Sequence, residues 1–153
     1  MFWIQERIAM GREFNGKFVC SETTGFEDFM EEMGVPWLVR KGLAMFSSGN
    51  PSLECKLDGD TMIWNLENMS PSHEFMRTLT AGASPFDTTD QMGYTCEVSS
   101  HWDGDKFVIV LVSKTEGGKG YSIIREVIEQ GIFAKMIPND NPAKQMTRMF
   151  IRA

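Results

Sequence analysis

The hydrophobic positions of the chain follow a helical period before residue 51 and a strand-like period after it. The first segment places four apolar residues at the i, i+3, i+4 and i+7 spacing of one helix face: Phe26, Phe29, Met30 and Met33. Thr24 and Glu27 have the Thr-x-x-Glu spacing of a capping box, and Gly34 stands where a helix C-terminus favours a left-handed residue. The pattern therefore predicts a helix over residues 26–33, capped by the Thr24 side chain.

A second, shorter helix is expected directly after the first. It would begin at Pro36, because the fixed φ of proline suits a first helical turn. Its apolar positions are Trp37, Leu38, Leu43 and Met45. The turn-forming run Ser47–Pro51 ends it, so the two helices form one helix–turn–helix unit.

The rest of the chain alternates apolar and polar residues in the manner of short strands. The predicted strands are Phe14–Ser21, Leu53–Leu57, Thr61–Glu67, Tyr94–Ser100, Phe107–Ser113, Tyr121–Ile128, Ile132–Ile137 and Gln145–Arg152. Asp58-Gly59-Asp60 and Asp103-Gly104-Asp105 are hairpin turn signals. The pattern predicts an antiparallel meander, either as an open sandwich or as a closed barrel, in which closure removes the sheet edges.

Composition narrows the class of protein. The chain has 153 residues, of which 42% are hydrophobic and 24% charged, which is typical of one globular domain. Its net charge of −6 disfavours a nucleic-acid partner, because an acidic chain repels phosphate backbones. No stretch approaches the ~20 apolar residues of a membrane span, and the N-terminus lacks the apolar core of a signal peptide. Three widely spaced cysteines favour reduced thiols in an intracellular protein.

Candidate catalytic and metal-binding residues are few. His73 and His101 stand among polar residues, and we expect both to be exposed or at strand edges. The stretch Glu116–Gly120 lacks the spacing of a phosphate-binding loop and is expected to be a hairpin turn. The aspartates of the two hairpin turns lack the twelve-residue loop of a calcium site. The sequence thus predicts no catalytic residue, no metal site and no cofactor.

Two arginines stand in otherwise apolar rows. Strand alternation places Tyr121, Ile123, Arg125 and Val127 on one face, and Met146, Arg148, Phe150 and Arg152 on another. One interpretation is that these rows face solvent, or that each arginine pairs with a buried carboxylate. The other is an inward-facing arginine pair that holds an anion, since an unpaired buried cation costs several kcal/mol.

Methionine is frequent, with 12 residues in the chain. Its flexible thioether side chain fills irregular gaps in a core. The same property suits the wall of a cavity that accepts flexible apolar ligands, and spacing alone does not separate the two roles.

Several short motifs follow one another along the chain: Phe14–Phe18, Gly25–Met30, Met33-Gly34-Val35, Arg40-Lys41, Asn50-Pro51, Asp58-Gly59-Asp60, Arg125 and Arg148-Met149-Phe150. In their order and spacing, these motifs resemble those of the intracellular lipid-binding proteins, the fatty-acid-binding protein family. The resemblance runs from Phe14 to Arg152, with no matching motif in Met69–Pro85.

The resemblance implies an all-β fold, a ten-stranded antiparallel up-and-down β-barrel with a two-helix lid between its first and second strands. Residues 14–153 would form this barrel, and residues 1–13 an N-terminal extension in which Met10 offers a second start. The implied ligand is a long-chain fatty acid or a related anionic lipid, held by Arg125, Arg148 and Phe150. Phe150 stands where the family has a tyrosine, so one hydroxyl donor to the ligand is missing.

The resemblance further implies a non-enzymatic carrier, monomeric and located in the cytoplasm and also the nucleus. It would deliver lipid to membranes through transient contact, to enzymes or to a nuclear receptor, and would need no cofactor. The alternatives from other classes are a secreted lipocalin-type carrier of small apolar ligands and a small β-barrel enzyme.

Overall fold

The computed structural model describes residues 14–47, 50–67, 69, 71–89 and 94–153. Within its helices, the side chains of residues 43–47, 71 and 72 are not part of that description. The expected N-terminal extension, residues 1–13, and the apolar side chains expected at Leu43 and Met45 therefore lie outside the described residues.

Ten antiparallel strands form a single sheet within the described residues. They are β1 (Gly16–Thr24), β2 (Ser52–Asp58), β3 (Thr61–Leu66), β4 (Thr78–Thr80), β5 (Phe86–Thr89), β6 (Thr95–Asp103), β7 (Lys106–Ser113), β8 (Tyr121–Ile128), β9 (Gly131–Pro138) and β10 (Met146–Arg152). Their order across the sheet is β4-β3-β2-β1-β10-β9-β8-β7-β6-β5. Every strand predicted from alternation is present, and β1 lies between β2 and β10 because the first strand pairs with the last.

The sheet curls until its two ends approach each other. The Gly82 backbone N–H, just after β4, donates to the Ser100 carbonyl oxygen of β6 at 2.8 Å. The Ser100 hydroxyl in turn donates to the Thr80 carbonyl oxygen at 3.1 Å. The Trp102 indole N–H donates to the Asp60 carboxylate at 2.9 Å. The first two bonds join the β4 edge of the sheet to β6, and the third joins the turn between β2 and β3 to β6. Of the two arrangements that the sequence left open, an open sandwich and a closed barrel, these bonds favour the barrel.

Two of these strands, β4 and β5, were not predicted from the alternation of apolar and polar residues. β4 has three residues and β5 has four, which is too short for a period of two to be recognised. A 3₁₀ helix, Pro71–Met76, precedes β4. The stretch Met69–Pro85, where the sequence has no family motif, thus consists of short elements. The ten strands implied by the resemblance are therefore confirmed, although the pattern alone did not indicate β4 and β5.

Two helices lie between β1 and β2, as expected: α1 (Phe26–Glu32) and α2 (Trp37–Ser47). The end of α1 has the predicted glycine cap. Gly34 has φ 79°, its N–H donates to the Glu31 carbonyl at 3.0 Å, and the Val35 N–H donates to the Met30 carbonyl at 3.0 Å. These two bonds satisfy carbonyl groups that the helix end would leave free. None of the helices among the described residues is long and apolar enough to cross a membrane.

The predicted capping box at the start of α1 is wrong. The N-cap is Gly25, which has φ 80°, and no side chain caps the helix. Thr24 cannot act as the cap because it is the last residue of β1, where it pairs with Thr147 of β10. Gly25 makes the turn from strand to helix in a left-handed conformation, and its carbonyl accepts the Phe29 N–H at 3.0 Å.

Replacement of Gly25 by alanine should destabilise the protein more than the same change at Gly34. Both residues have a left-handed φ, which costs an alanine about 1 kcal/mol. A Cβ at Gly25 would also collide with the Gln145 carbonyl oxygen, whereas a Cβ at Gly34 meets nothing within 4 Å. Urea unfolding should show a loss of about 2–4 kcal/mol for Gly25→Ala and about 1 kcal/mol for Gly34→Ala. Equal losses would contradict the close approach of α1 to the residues before β10.

Candidate functional site

A cavity of about 180 Å³ lies between α1 and the inner face of the sheet. This space accommodates on the order of ten water molecules. Its walls come from α1, from strands on both sides of the barrel and from the segment between β3 and β4. The lining residues are Phe26, Phe29, Met30, Pro51, Trp64, Leu66, Glu67, Met69, His73, Met76, Tyr121, Ile123, Arg125, Ala134, Met136, Met146, Arg148 and Phe150.

Methionine contributes to both the cavity and the core. The cavity-lining methionines are Met30, Met69, Met76, Met136 and Met146. Met62, by contrast, is fully buried in the core. Both roles left open by the sequence therefore occur, and the cavity wall is largely made of flexible apolar side chains that can adapt to a ligand.

Strand register brings Arg125 and Arg148 together. On β9, Ala134 pairs with Arg125 of β8 on one side and with Arg148 of β10 on the other. Directly opposed residues of antiparallel strands project from the same face, and strands two apart are separated by roughly 10 Å. The two arginines thus flank one small residue, and all three line the cavity.

Arg125 crosses the barrel to the opposite wall. Its side chain belongs to β8, yet its guanidinium carbon lies 3.8 Å from the ring centroid of Trp64 on β3. Its Nη1 donates to the Met62 sulfur at 3.5 Å. The residue is only 3% exposed. Burial lowers the pKa of Arg125 to about 10, so the group remains a cation at neutral pH.

Arg148 is less deeply buried and incompletely bonded. Its Nε is buried without a hydrogen-bond partner among the described residues. Burial lowers the pKa of this guanidinium as well, opposed by the neighbouring Cys20. A buried donor without a partner costs free energy that a ligand acceptor can recover.

Neither cavity arginine forms an ion pair with a carboxylate within the described ranges of the chain. The interpretation that the arginine rows face solvent is wrong for Arg125, which is buried. The interpretation that each arginine pairs with a buried carboxylate finds no support among these residues. What remains is an inward-facing pair of cations in an apolar cavity.

Phe150 forms an apolar wall beside the arginines. It is 1% exposed, and its ring meets the Trp64 ring edge-on at 5.3 Å between centroids. Trp64 therefore contacts both Arg125 and Phe150. All three residues that the sequence indicated, Arg125, Arg148 and Phe150, line the same cavity.

The Cys55 thiol near Arg125 is neutral at pH 7. Cys20, Cys55 and Cys96 are free and buried. Burial raises the pKa of Cys55 to about 12, although Arg125 nearby opposes the shift. A neutral thiol at Cys55 does not balance the charge of the Arg125 guanidinium.

The expectation for one histidine is corrected. His73 is half-buried and lines the cavity, because it lies in the 3₁₀ helix Pro71–Met76, which contributes to the cavity wall. Nothing in the sequence indicates this short helix. His101 is exposed, as expected. In the part of the chain that the structure describes, no group of three or more His, Cys, Asp or Glu residues is placed to hold a metal ion.

Trp64, Met62 and Ala134 belong to the site but were not indicated by the sequence. Alternation along β3 does place Met62 and Trp64 on one face, and both are buried. That signal does not reveal that β3 faces β8 across the barrel. Ala134 is recognisable only from the register of β8, β9 and β10.

The chain is similar in sequence to fatty acid-binding proteins. Fatty acid-binding protein homolog 6 of Caenorhabditis elegans is 29% identical over 116 residues, which cover 76% of this chain and 82% of that protein. Fatty acid-binding protein homolog 8 of the same organism is 41% identical over 54 residues, 35% of this chain and 37% of that protein. No family model matches the chain.

Two solved structures show the same fold. Apo lipid binding protein 8 of Caenorhabditis elegans has a TM-score of 0.72 at 20% identity, covering 93% of this chain and 96% of its own. The fatty acid binding protein of Schistosoma mansoni, solved in complex with arachidonic acid, has a TM-score of 0.68 at 22% identity, covering 94% and 98%.

Replacement of Arg125 by methionine should stabilise the lipid-free protein. Because its pKa is lowered in the folded state, the cost of burying the cation is present in full below about pH 10 and declines as the pH rises above that value. At pH 7 a neutral side chain of similar length should raise the free energy of unfolding by about 1–3 kcal/mol. Urea unfolding measures this change, with Arg77→Met, at a residue that pairs with Glu74, as the control. A loss of stability larger than that of the control would contradict this prediction. It would show that other groups in the protein already balance the buried charge of Arg125.

Proposed function

We propose that the chain is a member of the intracellular lipid-binding protein family and that it reversibly binds a long-chain fatty acid or a similar anionic lipid between α1 and the sheet. Members of this family are carriers and not enzymes. The proposed function is then the binding and release of a lipid that is not chemically changed.

The observation that carries this proposal is the pairing of an apolar cavity with two cations that lack a carboxylate partner among the described residues. An acyl chain gains about 0.8 kcal/mol for each methylene removed from water. A charged headgroup gains more than a neutral one from guanidinium donors, because charge-assisted hydrogen bonds are roughly twice as strong. The cavity therefore suits a molecule that is apolar along its length and anionic at one end.

The two rival functions are less well supported. α1 and α2 fall between the first two strands, a position that disfavours the lipocalin-type alternative. The enzyme alternative would need a reactive group in the cavity. The titratable residues that line it are Glu67, His73, Tyr121, Arg125 and Arg148, and they are better explained as the mouth and the cationic part of a binding site.

We place the carrier in the cytoplasm and the nucleus, acting as a monomer and passing lipid to membranes, enzymes or a nuclear receptor. The basic pair Arg40-Lys41 is a weak signal for a nuclear partner, because both residues are engaged. Arg40 bonds to Glu27 at 3.2 Å and to the Val35 carbonyl at 2.7 Å. The Lys41 ammonium lies 4.2 Å from the Trp37 ring centroid.

Membrane contact would use an exposed apolar surface and not a basic patch. We call this surface the tip; it is formed by Trp37, Leu38 and Val39 at the start of α2. At the start of α2, Trp37 is 55% exposed, Leu38 76% and Val39 40%. The neighbouring helix α1 carries acidic residues in its first turn, Glu27 and Asp28. An acidic surface is repelled by anionic lipids, whereas exposed Trp and Leu side chains enter the membrane interface irrespective of lipid charge.

Neutralising either cavity arginine should weaken a fatty acid more than the matching alcohol. Arg125→Gln and Arg148→Gln each remove about 1.5–3 kcal/mol of charge-assisted bonding, which the neutral alcohol does not use. Calorimetric titration with hexadecanoic acid and hexadecanol measures both affinities, and Arg77→Gln serves as the control outside the cavity. If both cavity variants bind acid and alcohol as the unmodified protein does, the headgroup lies elsewhere.

Transfer of a fluorescent fatty acid to vesicles should not accelerate as anionic lipid is added, because the lid region is acidic. Leu38→Ser should slow transfer to neutral vesicles several-fold by removing the most exposed apolar side chain of the tip. Ile151→Ser, on the outer face of β10, is the matched control for an exposed apolar residue. A strong rise with anionic lipid, or equal slowing by the two variants, would contradict contact through the tip.

A further inference from the structure

A single side-chain hydroxyl group is present among the described residues that line the cavity, and it belongs to Tyr121. The other lining residues bear apolar side chains, an indole, an imidazole, a carboxylate or a guanidinium. Phe150, beside the arginines, offers neither a donor nor an acceptor. Within the described part of the wall, Tyr121 is therefore the residue that can offer a hydroxyl donor to a bound headgroup.

Tyr121 stands in the same row of β8 as Arg125. Tyr121, Ile123 and Arg125 are buried, alternate with less buried residues along the strand, and all line the cavity. Residues four apart on a strand are separated by about 13 Å along its axis. The two long side chains thus project from one wall into the same cavity, with one isoleucine between them.

The Tyr121 phenol also acts on the charge of Arg125. Burial lowers the pKa of Arg125, and the Cys55 thiol and the Tyr121 phenol nearby oppose that shift. Electrostatic effects between groups weaken with distance. The phenol is therefore part of the electrostatic surroundings of the Arg125 guanidinium, in addition to lining the same cavity.

The ring of Tyr121 is held in place by the lid. Phe29 of α1 meets it edge-on, with 5.4 Å between the ring centroids. Both side chains are buried. A ring that is already packed has little freedom to lose when its hydroxyl bonds to a ligand, so the contact is preorganised.

From these observations we infer that Tyr121 contacts the ligand and donates a hydrogen bond from its hydroxyl to the anionic headgroup near Arg125. This inference rests on the proposed binding of an anionic lipid and adds a specificity-determining residue to that site. The hydroxyl favours an anion over a neutral headgroup, because a hydrogen bond to a charged acceptor is roughly twice as strong as one between neutral groups.

Replacement of Tyr121 by phenylalanine isolates the hydroxyl, since the ring and its contact with Phe29 are kept. In calorimetric titrations at neutral pH, hexadecanoic acid should bind Tyr121→Phe about tenfold more weakly, and hexadecanol about threefold more weakly. Tyr94→Phe, at the other tyrosine of the chain, is the matched control. Tyr94 is not among the cavity-lining residues, so neither affinity should change.

NMR of hexadecanoic acid labelled with ¹³C at its carboxyl carbon gives the titration midpoint of the bound headgroup. Loss of a hydrogen bond to the carboxylate favours the protonated acid, so the midpoint should rise by about one pH unit in Tyr121→Phe and stay unchanged in Tyr94→Phe. The other titratable groups in and beside the cavity are the same in both variants: Glu67, His73, Arg125, Arg148, Cys20 and Cys55. A difference between the variants therefore reports on the Tyr121 hydroxyl.

The contact can also be observed without a substitution. In the unmodified protein, the ligand protons next to the carboxyl group should show nuclear Overhauser contacts to the Tyr121 ring, and their absence overturns the inference. An unchanged acid affinity and midpoint in Tyr121→Phe, or equal weakening of acid and alcohol, also overturns it and leaves the proposed function standing. Failure of both ligands to bind the unmodified protein removes the proposed function itself.

Discussion

The rest of the site depends on one constraint, the burial of the Arg125 and Arg148 guanidinium groups. Neither has a carboxylate partner among the described residues. A hydrophobic core of this size would be more stable without them, because removing a cation from water is costly. The barrel holds Arg125 in place through Trp64 and Met62, which offer a π face and a sulfur but no compensating charge. Burial of these cations therefore lowers the stability of the protein, and the proposed anionic ligand would recover part of that loss.

The position of the cations follows from the closure of the sheet. Because β1 pairs with β10 and the β4 end bonds to β6, the strands that carry the arginines and the strand that carries Trp64 face each other across the interior. An antiparallel register then sets Arg125 and Arg148 on either side of Ala134. The same architecture supplies an apolar wall rich in methionine, so that the cavity combines two cations with adaptable apolar side chains.

The lid is anchored firmly at one end and exposed at the other. α1 is attached to the barrel where Gly25 approaches the Gln145 carbonyl and where the Phe29 ring meets Tyr121 edge-on at 5.4 Å. α2 begins with exposed Trp37 and Leu38, tied to α1 through the bond of Arg40 to Glu27. The lid therefore has one end packed against the barrel and, at the start of α2, an exposed apolar surface.

Local pattern alone determined the two helices, the longer strands and the hairpin turns, because helical and strand periods are properties of neighbouring residues. It also indicated Arg125 and Arg148, since a charged residue in an apolar row is visible in one strand, whereas Phe150 was indicated by the resemblance to the fatty-acid-binding proteins. Only the tertiary structure decided that the sheet closes, that β4 and β5 exist, that Gly25 replaces Thr24 as the cap, and that His73 lines the cavity. The contact of Arg125 with Trp64 and the place of Ala134 between the arginines were likewise decided there, because both depend on strand register and on residues far apart in the chain.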